Sequence, residues 1–118
     1  MSRLETLYIV VDLQQRLPKQ PLTIRRMDTW ARLEGKLGIG YHFLIDRDGA
    51  CHKGRPLWEP SACGIGWQRD AVSVAICIEG PTISPRKRET LDRLLKQLQE
   101  AYPAAQVLSK SELLGVSE

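Results

Sequence analysis

Gly38-Ile39-Gly40-Tyr41-His42-Phe43-Leu44-Ile45-Asp46-Arg47-Asp48-Gly49, continued by Ala50-Cys51-His52-Lys53, reads as a β-hairpin. Tyr41–Asp46 forms one strand, Asp48-Gly49 is a turn pair, and Ala50–Lys53 returns antiparallel. A two-residue turn sets Ile45 opposite His52 and Arg55 opposite His42. The two imidazoles then project to opposite faces and share no metal, although a longer turn changes the register. His42, between Tyr41 and Phe43, reads as a hydrogen-bonded structural residue, because a metal ligand needs convergent partners.

Upstream, Leu7-Tyr8-Ile9-Val10-Val11 is a β-branched and aromatic run suited to a strand buried on both faces, and Asp12 ends it. Gln14–Pro21 is a loop. Thr23 caps a helix from Ile24 that Gly35 closes, and Ile24, Met27, Trp30 and Ala31 give it an apolar face assigned to the core. Downstream, Pro56–Asp70 has no periodicity and reads as a long loop, of the kind that tends to be functional or mobile. Val72–Ile78 is a second buried strand, stopped by Glu79-Gly80-Pro81. Ser84-Pro85 opens a helix with Leu91, Leu94, Leu95 and Leu98 on one face, and Tyr102-Pro103 ends it. Gln106–Leu108 forms a last short strand. Strands alternating with helices give an α/β fold: one domain, residues 1–118, with a small mixed sheet flanked by helices.

The 118 residues, 42% hydrophobic and 26% charged, suit a single globular domain. The net charge of +3 comes from 17 basic and 14 acidic residues with interspersed signs, which disfavours nucleic acid as a partner. Arg86-Lys87-Arg88 is followed at once by Glu89 and reads as a solvated face. No apolar run approaches the roughly 20 residues of a membrane span, and no signal-peptide core is evident, so a cytoplasmic protein without membrane contact is expected. Cys51, Cys63 and Cys77 are an odd number without Cys-x-x-Cys spacing and read as reduced thiols. No nucleophile elbow, P-loop, dinucleotide fingerprint or His-Glu-x-x-His motif occurs, and Gly38-Ile39-Gly40 is a weak phosphate cradle. Cys51 and His52 are adjacent in a strand and face opposite ways, which denies them a nucleophile–base bond. This inventory disfavours an enzyme.

The hairpin, with His52-Lys53-Gly54-Arg55 after it, resembles that of zinc-dependent N-acetylmuramoyl-L-alanine amidases, which share a fold with phage lysozyme-type amidases and peptidoglycan-recognition proteins. Tyr8–Val11 resembles the family's first strand, and Ile24-Arg25-Arg26 the helix before its hairpin. Ser73–Gly80 resembles the strand after its active-site loop, Leu91–Pro103 its long helix, and Val107-Leu108 its last strand. The resemblance implies an amidase-like domain that ends, at Glu118, short of the family's C-terminal extension. It also implies zinc ligands that this sequence replaces. Asp12 stands for the histidine after the first strand. Ser109-Lys110-Ser111-Glu112 stands for the tetrapeptide that carries the second histidine, with Lys110 at the ligand position. The loop histidine of the family is replaced near Ala62-Cys63-Gly64-Ile65. Tyr41 alone matches the family's active-site machinery.

A zinc hydrolase needs about three protein ligands and an open position for water, and a protonated ammonium cannot ligate a cation. No metal and no cofactor are therefore expected. Asp12 and Lys110 either pair across the vacated site or reach solvent separately. The expected function is binding, by a catalytically inactive amidase-fold protein of phage or prophage origin. The cleft assigned to it comprises Asp12, Tyr41, Trp58, Trp67, Arg69 and Lys110. Trp58 and Trp67 either anchor an interface or pack under their loop. The first partner expected is a host protein, and the alternative is a muropeptide or peptidoglycan fragment. A further alternative is an active amidase whose metal is held by Asp12 with Cys63 or Glu118.

Overall fold

The computed structural model describes residues 5–14 and 19–115. In chain order its elements are β1 (Tyr8–Leu13), α1 (Ile24–Leu33), β2 (Phe43–Ile45), β3 (Cys51–Lys53), α2 (Trp67–Asp70), β4 (Ser73–Ile78), α3 (Pro85–Ala101), β5 (Gln106–Ser109) and α4 (Lys110–Leu114). The strands form one mixed sheet in the order β3-β2-β4-β1-β5. Among the described residues only the β2–β3 pairing is antiparallel; β4 pairs in parallel with β1 and β2, and β1 with β5. The α/β fold with a small mixed sheet is thus the observed one. No described helix is long and apolar enough to cross a membrane.

The central strand β4 is buried along its whole length, so its side chains alternate between two packed faces rather than between core and solvent. Val74, Ile76 and Ile78 meet Ile9, Ile45 and the Leu91, Leu94 and Leu98 stripe of α3. Ala75 packs with Val10, Cys63 and Ile65, while Cys77 packs with Leu22 and Leu44, and Tyr41 lies against both groups. The second face carries the site. Both long helices start as their sequences dictate. Thr23 accepts the Arg26 N–H, and Ser84 accepts the Lys87 N–H with Pro85 in the first turn.

Glu79, at the end of β4, is fully buried and joins three segments. Its carboxylate accepts the backbone N–H groups of Leu22 and Arg47 and the Arg47 guanidinium, with 2.6 Å to Nη2. Lys87 donates to the carbonyls of Glu79 and Thr82, which ties α3 to the same corner.

Several expectations are corrected. Asp12 does not end the first strand; it lies within β1 because its pairing with β4 continues through Asp12↔Cys77 and Leu13↔Ile78. The hairpin register is shifted by one, with Leu44 opposite His52 and Ile45 opposite Cys51. The cause is a longer turn. Asp46 accepts the N–H groups of Asp48 and Ala50 through Oδ1, and Gly49 adopts φ +87° to close the loop. In this register His52 lies opposite Leu44, so the two imidazoles are no longer set on opposite faces of the hairpin. The segment from Pro56 to Asp70 is not wholly irregular, since its last residues form α2. Finally, α1 contributes no buried residue, and Trp30 is 45% exposed rather than core.

Candidate functional site

Parallel pairing of β1 with β5 sets Val11 beside Ser109, so the next residues, Asp12 and Lys110, become neighbours. The Lys110 ammonium lies 3.5 Å from Asp12 Oδ2. The Tyr41 hydroxyl, from the segment leading into β2, donates to the same oxygen. Burial first, and then the Asp12 charge, push the Tyr41 phenol far above its ordinary value. Its proton therefore stays in place at any physiological pH.

Of these residues, Tyr41 and Lys110 line an open cleft of about 220 Å³, walled also by Met27, Trp30, Ile39 and Cys63. Gly40 makes the wall possible: its carbonyl accepts the Ala62 N–H at 3.0 Å, and a Cβ there would stand 2.1 Å from the Ala62 carbonyl oxygen. Asp70 holds the same stretch of wall from behind Ala62, at Ser61 and Cys63. It accepts Ser61 Oγ at 2.5 Å, the Cys63 N–H at 3.1 Å and the Cys63 thiol at 3.4 Å.

Of the six residues assigned to the cleft from sequence, the structure brings Asp12, Tyr41 and Lys110 together. Trp58, Trp67 and Arg69 do not wall this cleft. Trp67 is 80% exposed on α2 and Trp58 is 58% exposed, while Arg69 donates to the Leu113 carbonyl and fastens α2 to α4. The cleft instead takes Met27 and Trp30 from α1; helical spacing assigned both to the core, and Met27 does pack against the Leu22, Leu44 and Cys77 group while Trp30 does not. Lys110 opens α4, an element that the sequence reading missed.

The two histidines are each engaged elsewhere. His42 Nε2 donates to the Glu59 carbonyl at 2.8 Å and its Nδ1 accepts the Ala75 N–H at 3.0 Å, which fixes a neutral tautomer. His52 pairs with Asp46 at 2.8 Å on the surface. The donor set at the cleft does not fit the zinc ion that the resemblance implies. Asp12 Oδ2 is shared by a phenol and an ammonium, and Lys110 has no lone pair to give while protonated. The Cys63 thiol points its proton at Asp70, and burial, followed by the Asp70 charge, pushes its pKa up to about 12. Without a metal beside it, it is a thiol rather than a thiolate at neutral pH. No three metal-ligating side chains converge among the described residues. Glu118, the other ligand considered with Asp12, lies outside them.

The chain matches no family profile. It is 26% identical over 121 residues to the endolysin of Klebsiella phage KP32, an alignment spanning 95% of this chain and 79% of that protein. Among solved structures it is similar to the endolysin N-acetylmuramoyl-L-alanine amidase LysCS from Clostridium intestinale, with a TM-score of 0.78 and 23% identity, over 95% of this chain and 74% of that one. It is also similar to a Drosophila PGRP-LB variant in complex with tracheal cytotoxin, with a TM-score of 0.77 and 20% identity, over 92% and 72% of the two chains. This chain is thus a relative of phage endolysins, built on the fold of N-acetylmuramoyl-L-alanine amidases and peptidoglycan recognition proteins.

Proposed function

We propose that this chain is a metal-free, non-hydrolytic amidase-fold protein of phage or prophage origin that works by binding a cell-wall peptide fragment in its cleft. The observation that carries this reading is the contact of Lys110 and Tyr41 with a single oxygen of Asp12. An ammonium at the position that the resemblance gives to a zinc ligand supports a cleft that holds no metal-bound attacking water. Occupancy by a muropeptide is supported by the fold neighbour solved with tracheal cytotoxin. The test combines three measurements on the purified protein. Elemental mass spectrometry after zinc loading and desalting is expected to find no stoichiometric metal. Peptidoglycan suspensions are expected to stay turbid, and calorimetry with purified muropeptides is expected to show saturable binding. Bound zinc with clearing of the suspension overturns the reading.

A host protein partner is the second reading, favoured by the exposure of Trp58 and Trp67 outside the cleft. In that case loss of the partner on Trp67→Ala, with muropeptide binding absent, replaces the first reading.

A further inference from the structure

The cleft offers two polar atoms with unused capacity, side by side. The Lys110 ammonium has three N–H donors, and among the described residues its acceptor is Asp12 Oδ2. The Tyr41 hydroxyl has spent its one proton on Asp12, so its oxygen is left to accept. A ligand that answers both must bring an acceptor for the ammonium and an N–H for the phenol oxygen, close together. A peptide C-terminus does this, with its carboxylate and the last amide N–H only a few bonds apart.

We infer that the cleft is a subsite for a free peptide carboxyl terminus, with the carboxylate on Lys110 and the terminal amide N–H on the Tyr41 oxygen. The inference rests on the cell-wall-fragment reading and specifies which end of the fragment enters. A carboxylate is preferred to an amide end because its full negative charge adds a Coulomb attraction to the Lys110 ammonium that a neutral carbonyl oxygen does not supply. Met27, Trp30 and Ile39 give the wall an apolar part, beside the polar Gln14, Glu34 and Lys36, and that part suits a small apolar terminal side chain. The volume, about 220 Å³, lies below the roughly 300 Å³ at which sites for whole drug-sized molecules begin, as expected for the end of a chain. Lys36, which also lines the cleft, pairs with Glu34 at 3.2 Å as Lys110 pairs with Asp12 at 3.5 Å, but Lys110 is the cation that shares an oxygen with the Tyr41 hydroxyl.

The test is calorimetry or NMR titration of the whole chain with N-acetyl-Ala-Ala and with its C-terminal amide. The acid is expected to bind about tenfold more tightly. Lys110→Met is expected to abolish that preference and Lys110→Arg to keep it. Tyr41→Phe is expected to weaken both ligands severalfold without changing their ratio. The acid–amide comparison on the unmodified protein needs no variant to fold. Equal affinities, binding of neither dipeptide, or a preference that survives Lys110→Met overturns the subsite. If muropeptides still bind in those cases, the broader reading stands; if they do not, both fall.

Discussion

Lys110 Nζ and the Tyr41 hydroxyl converge on one oxygen, Oδ2 of Asp12, with the ammonium 3.5 Å away. Three segments distant in sequence are joined there: the C-terminal half of β1, the lead-in to β2 and the first turn of α4. The parallel β1–β5 register brings residue 12 beside residue 110, so the contact is a consequence of topology rather than of a local motif. A group that ties three segments together should report on the whole site when it is altered.

The Tyr41 phenol provides that report. Burial, then the Asp12 charge, raise its pKa in the folded state above the ordinary value of 10.0. A raised folded-state pKa supports folding fully below that value, and the support is lost as the pH climbs beyond it. In a Tyr8→Phe, Tyr102→Phe background, phenolate absorbance is expected to stay absent until the protein unfolds in alkali. Asp12→Asn is expected to lower the Tyr41 pKa without returning it to normal, because the burial remains. A normal titration curve in the parent background would contradict the contact.

Gly40 is expected to be intolerant of the smallest side chain. An added Cβ would stand 2.1 Å from a backbone oxygen, where no rotamer change relieves it. Gly40→Ala must therefore move the Ala62 segment and break its hydrogen bond to residue 40. The expected cost is about 3 kcal/mol, the upper range for overpacking, read as a shift in the urea midpoint. Muropeptide binding should fall with it, since Ala62 and Cys63 form the wall of the cleft. A variant as stable as the parent would mean that the close approach is not real.

Much of the sheet was legible because its strands carry their own signal. Tyr8–Val11 and Val74–Ile78 are apolar runs buried on both sides, and Ser84-Pro85 is a helix start that the chain uses. The hairpin register was not legible. It depends on whether Asp46 folds its carboxylate back onto Asp48 and Ala50, and the Asp48-Gly49 pair is compatible with turns of either length. The helix α4 was legible but missed. Ser109-Lys110-Ser111-Glu112 is a capping box, with Ser109 Oγ accepting the Glu112 N–H at 3.1 Å, and Gly115 closes the helix in the left-handed region. Trp30 was misplaced for a different reason. Helical spacing identifies a common face, but not whether that face meets the sheet or an open cleft.

Glu79 ought to dominate the acid response. Burial raises its pKa, but the hydrogen bonds from Arg47 and from the Leu22 N–H outweigh that and hold it below the ordinary value of 4.5. A depressed pKa supports folding above that value, and the support is lost as the pH falls through the folded-state pKa. Glu79→Gln is expected to cost about 3 kcal/mol at neutral pH, as for a broken buried pair. The gap between the two proteins should narrow as the pH falls below the ordinary carboxyl value of 4.5 and through the lower folded-state pKa, where the parent loses the same interaction. Urea unfolding midpoints at neutral and acid pH measure both. A gap that stays constant would show that the Glu79 charge does not hold the corner.

The three thiols should separate cleanly in reactivity, because thiolate fraction and access point the same way. Cys51 is exposed on the edge strand β3; burial raises its pKa, and the charge of Lys53 draws it partly back. Cys63 and Cys77 are buried, and their pKa values are pushed up to about 12, by burial and then by Asp70 for the first and Asp12 for the second. At mildly alkaline pH a disulfide reagent is expected to modify one thiol in the native protein and all three in denaturant, with peptide mapping placing the fast one at Cys51. Cys63 is the informative position. It belongs to the cleft wall, yet its proton is held by Asp70 inside the protein, so it should resist the reagent despite that location. Rapid labelling of Cys63 would mean that the Asp70 clasp opens, and that a thiolate is available to the cleft after all.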